Sequence, residues 1–201
     1  MRVRRLLSSV LGPAAFASAA YVGARRQPGY RPRDEPISAL AAFGSQAASV
    51  MVPGFYALAG GTVLFARSLR GSVAAPTPVP QMLTVVGLAV AGAGIARCSD
   101  PSAPARWLGD EVKLTDDLHA GISAVAFLGW CVIPIVAAVR AKDASPAYRR
   151  RSAALGLTTL ATTIGGGRFQ RNEGTKWSGT AQRVTLASAF AWYALAGLSR
   201  D

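Results

Sequence analysis

Six stretches without a single Lys, Arg, Asp or Glu, at residues 6–24, 37–66, 71–96, 118–139, 152–167 and 184–199, constrain this chain more than any other feature. A helix needs about 17 to 25 apolar residues to cross the hydrocarbon core of a bilayer. Four of the runs are long enough alone. The last two must recruit flanking residues, with Arg151, Arg168 and Arg183 reaching back to the interface. Residues 37–66 exceed one crossing, so 38–46 are expected to form a short interfacial helix or re-entrant approach, with Ser38 as its N-cap. Only helices and closed barrels satisfy the backbone in lipid, and these runs lack the period-2 polar alternation of barrel strands. The expected fold is therefore all-α: one transmembrane domain over residues 1–201, built as an up-down meander bundle of six transmembrane helices. The spans are placed at about 6–24, 47–67, 80–97, 118–139, 151–167 and 182–199.

A soluble domain carries about a quarter charged residues, against 16% here with 51% hydrophobic. A net charge of +12 would point to nucleic acid in a soluble protein, but these basic residues border apolar runs instead of forming one stripe. The expected partners are membrane lipids and not nucleic acid; nothing names a protein partner. Cys98 and Cys131 lie at depths differing by roughly 18 Å at the helical rise. A disulfide needs Cα atoms within about 7 Å, so two free thiols are expected. Met1-Arg2-Val3-Arg4-Arg5 before an apolar run, with Ala17-Ser18-Ala19, has the layout of a cleavable leader. Small residues occur throughout, however, and the reading favours a retained first helix.

Lys and Arg are divided evenly, eleven on the side of the termini and eleven on the side of loops one, three and five. The compact clusters at Arg2-Val3-Arg4-Arg5 and Arg149-Arg150-Arg151 break the tie and place both termini in the cytoplasm, within the cell (plasma or inner) membrane. In a six-helix meander, loops one, three and five share one face whatever the absolute orientation. That face gathers Asp34, Ser38, Cys98, Asp100, Asp116, Asp117, His119, Gln182 and Arg183.

His119 is the single histidine, and Asp116 lies at i, i+3 from it, so the two can meet on one helical face. Helix capping is the plainer reading, because Asp116 and Asp117 complement a helix N-terminus. Cys98, Asp100 and His119 are too few and too varied for a zinc centre, and neither metal nor cofactor is expected. Ser38, His119 and Asp34 or Asp100 could compose a hydrolase triad, but no nucleophile elbow surrounds Ser38. Gly165-Gly166-Gly167-Arg168 lacks the Lys-Ser/Thr ending of a phosphate loop and reads as a helix stop. Arg183 is expected to pair with Asp34, Asp100 or Asp116; the alternative is a clamp in which Gln182 and Arg183 bind an anionic headgroup or carboxylate. Trp107, Trp177 and Trp192 read as interface anchors.

Pro28-Gly29-Tyr30, Asp34, Ile37-Ser38-Ala39-Leu40, Pro53-Gly54-Phe55 and Ala59-Gly60 resemble the opening of the bacterial and archaeal membrane family designated domain of unknown function 998. Cys98-Ser99-Asp100-Pro101, Leu118-His119-Ala120-Gly121 and Gly179-Thr180-Ala181-Gln182-Arg183 are similar to its later marks, in the same order. The resemblance covers nearly the whole chain and implies six membrane helices without an established activity. Ala96-Arg97 departs from the apolar approach expected before Cys98. The first expectation for function is a structural or lipid-interacting membrane protein. The second is a membrane enzyme acting on lipids through His119, Asp116, Asp34, Ser38 or Asp100. The third is a small-solute transporter, weakened by the absence of charge inside any run.

Overall fold

The computed structural model describes residues 2–98, 114–172 and 177–199, with side chains except at 2 and 168–172. Among these residues there are six α-helices and no strand: α1 Arg2–Arg26, α2 Ala48–Ser68, α3 Val79–Ile95, α4 Leu114–Arg140, α5 Pro146–Asn172 and α6 Ser178–Leu198. The stretch before α2 forms one 3-10 turn, Ile37–Ala41, as a short element ahead of the long helix. Ser38 does not cap it. Pro36 stands at the N-cap position without a side-chain bond, and Ser38 lies inside the turn.

Three helices are long and apolar enough to cross a membrane: residues Val3–Arg26 of α1, then α2 and α4; α3 is apolar but 17 residues long. Arginines, threonines and glycines lower the hydropathy of α5, yet three of its threonine hydroxyls bond to carbonyls of the helix itself. Thr159 donates to Leu155 O at 2.7 Å, Thr162 to Thr158 O at 2.9 Å and Thr163 to Thr159 O at 2.7 Å. Gly165-Gly166-Gly167 is not a stop, because α5 continues through it to Asn172. Gly166 serves close approach instead: a Cβ there would lie 3.1 Å from the Cβ of Ala181 on α6.

Each helix packs on its chain neighbours, and α6 returns to α1 to close the ring. Contacts fix every pairing as antiparallel. Gly12 of α1 meets Gly61 of α2 so closely that a Cβ on Gly12 would stand 3.0 Å from the Gly61 Cα, while Ala19 faces Gly54. On α5 and α6, Thr162 accepts from Thr185 at 2.8 Å, and Ser152 accepts from Trp192 at 3.1 Å. The described helices thus form an up-down meander, with the start of α1 and the end of α6 at one end of the bundle and the loop between α1 and α2 at the other.

The core lies where α2, α4 and α6 converge. Tyr193, 1% exposed, accepts from Trp130 Nε1 at 3.1 Å and shares a 3.3 Å hydroxyl contact with Thr62. Phe65 packs on the Tyr193 ring and Phe127 stands edge-on to Trp130; such pairs contribute about 0.5–1.5 kcal/mol each beyond their burial. Trp192 belongs to this interior. It is 1% exposed and bonded to Ser152, so it is no interface anchor. Cys98 and Cys131 are both free thiols.

Candidate functional site

Loop one occupies the end of the bundle opposite the termini and is stitched to α6 on one side and to α3 on the other. On the α6 side, Thr180 N donates to Arg33 O at 2.9 Å, and the Ile37 N–H donates to Gln182 Oε1 at 2.6 Å. Ser178 Oγ donates to Asp34 O at 2.5 Å. Arg183 donates through Nη1 to Pro32 O, to Glu35 O at 3.2 Å and to Gly179 O at 3.0 Å, and through Nη2 to the Tyr30 hydroxyl at 2.7 Å. Tyr30 in turn donates to the carbonyls of Glu35 and Pro36, each at 3.1 Å. Burial raises the Tyr30 hydroxyl's pKa, while the Arg183 charge works against that shift. Among the described residues no bond of Arg183 goes to a carboxylate, so neither Asp34 nor Asp116 is its partner, and Asp100, the third expected partner, lies outside them. The reason is geometric: turns in loop one present several backbone carbonyls to the first turn of α6, and the guanidinium has five donors to fill them.

Gly179 makes this docking possible. A Cβ there would collide with the carbonyl oxygens of Glu35 and Pro32 and stand 2.9 Å from Arg183 Nη1. Just before it, Trp177 adopts φ 65°, a left-handed conformation costing a non-glycine residue about 1–2 kcal/mol. It is held by its N–H, which donates to Asp34 Oδ1 at 3.3 Å, and by the Arg33 guanidinium, 4.7 Å over its ring. Asp34 also accepts from Arg33 Nε at 2.9 Å, and this bond, with the Trp177 N–H and the nearby Arg31 charge, keeps its carboxyl below the usual carboxylate range.

The α3 side is built around Arg97 and Cys98. Arg97 Nε donates to Ala41 O at 2.6 Å and Nη2 to Ala42 O at 2.9 Å, with its guanidinium over the Phe43 ring. The arginine that broke the apolar approach is thus the strap that ties loop one to α3. Phe43 N donates to Cys98 O at 2.9 Å, and Ser38 is hydrogen-bonded to the Cys98 thiol. Burial, reinforced by the Asp116 charge and opposed by Ser38, raises the Cys98 pKa to about 11.

His119 is 7% exposed. Its Nδ1 lies 3.1 Å from Ala93 O and 2.6 Å from Ala96 O. Two carbonyl oxygens around one nitrogen require Nδ1 to carry the proton. His119 therefore serves carbonyls at the end of α3 that have no partner within their own helix. Asp116 and Asp117 stand in the first turn of α4, where negative charge complements the helix dipole.

Of the sequence-derived candidates, Asp34, Gln182 and Arg183 meet at the loop-one and α6 junction. Ser38, Cys98, Asp116 and His119 belong to the junction of loop one, α3 and α4. Asp100 and Trp107 lie outside the described residues. Tyr30, Arg97 and Gly179 are structural partners that residue chemistry alone did not single out, although Tyr30 and Gly179 belong to the quoted motifs. Among the described residues, no group of three or more His, Cys, Asp or Glu could hold a metal ion.

A family model described as "Protein of unknown function (DUF998)" matches residues 10–199. No curated protein and no solved structure matches the chain.

Proposed function

The chain belongs to the DUF998 family, and from the architecture above we propose that it is a six-span integral protein of the cell membrane, with both termini cytoplasmic and a structural, lipid-contacting role. The observation that carries this role is the use made of the polar candidates. Asp34, Ser38, His119, Gln182 and Arg183 all spend hydrogen bonds on the chain itself, closing one end of the bundle.

Six crossings are supported by the side-by-side packing of α3, α5 and α6 with the three strongly apolar helices. At 1.5 Å per residue, α3 reaches roughly 26 Å, close to the thickness of a hydrocarbon core. Each helix also turns a large aliphatic side chain outward: Leu11, Leu64, Leu88, Leu128, Leu157 and Leu198 are all more than half exposed. Lipid is the partner such a surface fits. The compact arginine clusters beside α1 and α5 support cytoplasmic termini.

Reporters active only in the cytoplasm, fused to each terminus, should both be active; signals of opposite kind at the two ends would mean an odd number of crossings. Ser38→Ala and His119→Ala should leave membrane lipid composition unchanged. The second reading, an enzyme acting on lipids, draws on the convergence of Ser38, Cys98, Asp116 and His119. Altered lipid composition in either variant, at unchanged protein abundance, would make it the better account.

A further inference from the structure

An open groove of about 340 Å³ runs between α5 and α6 on the outer surface of the bundle. Ala161, Gly165 and Gly166 line one wall, Ala181 and Val184 the other, and Trp177 stands at its head. The groove exists because two glycines withhold side chains. A Cβ on Gly165 would meet nothing within 4 Å, so the space in front of it is empty, whereas Gly166 closes the floor against Ala181.

The head of the groove is not apolar. The Arg33 guanidinium covers one face of Trp177 at 4.7 Å, and its side chain is 56% exposed. Asp34 takes the Nε of Arg33, and no described hydrogen bond uses either terminal nitrogen. Apolar space thus leads up to an exposed guanidinium, paired through Nε with Asp34, whose terminal nitrogens enter no hydrogen bond among the described residues, beside an aromatic ring. A neighbouring apolar helix could fill the groove but would leave those terminal nitrogens without an acceptor. A molecule with a long apolar chain and a phosphate at its head satisfies both.

We propose that this groove seats one acyl chain of a phospholipid whose phosphate is held by Arg33 beside Trp177. The inference rests on the membrane reading above, since only there does the groove face lipid. The exposed Trp177, held in a left-handed conformation by its bond to Asp34, marks the level of the interface, where a headgroup belongs.

The test uses the full chain, reconstituted in vesicles of equal phosphatidylglycerol and phosphatidylcholine, released in mild detergent and read by native mass spectrometry. Gly165→Leu puts a side chain into the groove at a position where the Cβ itself meets nothing within 4 Å; Gly60→Leu, at an exposed α2 site whose Cβ is equally clear, is the control. Wild type and Gly60→Leu should each retain one phospholipid. Gly165→Leu should lower its retention roughly tenfold, the scale expected for losing the burial of part of one chain. Arg33→Gln removes the headgroup contact while leaving the backbone bond from Thr180, and should also weaken retention. A preference for phosphatidylglycerol that Arg33→Gln abolishes would identify an anionic headgroup; equal retention of both lipids would identify the shared phosphodiester. Retention unaffected by both variants overturns the proposal. So does a dimer that Gly165→Leu dissociates without lipid loss, which would assign the groove to a second copy. Release of the protein from membranes by alkaline carbonate would instead refute the membrane reading itself.

Discussion

Gly179→Ala is the sharpest probe of the junction between loop one and α6. The added Cβ would point at the carbonyl oxygens of Glu35 and Pro32, which are backbone atoms and cannot rotate away as a side chain can. Forcing a methyl group into a packed contact costs about 1–3 kcal/mol. If loop one retreats instead, the bonds from Thr180 N to Arg33 O, from Ile37 N to Gln182 and from Arg183 to Pro32 weaken together. Each is worth about 0.5–1.5 kcal/mol, with more for the charged donor, and because they share one loop their losses do not simply add. Against this, alanine gains about 0.5–1 kcal/mol over glycine in a helix. The net expectation is a loss of about 2–4 kcal/mol. For a chain of this size it lowers Tm by roughly 5–15 °C. The assay is thermal unfolding in one detergent, with Gly60→Ala as the matched control. A Cβ at Gly60 meets nothing within 4 Å, so the same substitution there should be neutral or slightly stabilising. Equal shifts for the two variants would refute the docking argument.

The Cys98 thiol, raised to about 11 from a reference value of 9.0, should carry roughly a hundredfold less thiolate at neutral pH than an unfolded cysteine. Its alkylation should be correspondingly slow, accelerate as pH climbs toward 11, and slow further in Ser38→Ala, which removes the bond that favours the thiolate; alkylation at the denatured-state rate would count against the buried placement. Tyr193→Phe deletes the acceptor of Trp130 Nε1 and the partner of Thr62 at once. It should cost about 1–3 kcal/mol, because buried groups are left unsatisfied. Thr62→Val should cost less, since Trp130 keeps its acceptor. Thermal unfolding in detergent that ranks the two variants the other way would remove Tyr193 from the centre of the polar contacts.

The helices were legible because charge depletion is a one-dimensional signal: the run at 118–139 lies within α4, and that at 6–24 within α1. Gly165-Gly166-Gly167 misled because glycine reads as a stop from an aqueous point of view, whereas here it admits α6. Connectivity alone was the ground for the shared face; of it, the described residues show loop one bonded to the end of α3 and the start of α6. What could not be read was direction. Among the described residues Arg183 bonds carbonyls and not carboxylates because turns of loop one present those oxygens, and a turn's carbonyl directions are not written in residue type. Trp192 was misplaced for a related reason: a tryptophan near a span end faces lipid or core according to helix rotation, which only the packing of α5 decides.

The two ends of the bundle differ in their balance of positive and negative charge. At the loop end, arginines are spent within the chain: Arg25 lies over Tyr21, Arg33 over Trp177, Arg97 over Phe43 and Arg183 beside Tyr30, with backbone carbonyls or Asp34 taking N–H donors of the last three. Eight of the ten acidic residues also fall on that side in chain order. In chain order the terminal side carries eleven basic residues and two acidic ones, an excess of nine that no arrangement of its own carboxylates can neutralise. Self-repulsion of this size disfavours a compact end unless counter-charge comes from outside. On the membrane reading proposed above, an anionic leaflet would supply it, at about 1 kcal/mol per basic residue near its surface. One end is thus completed by the protein's own loop, and the other by the membrane in which we propose that it sits.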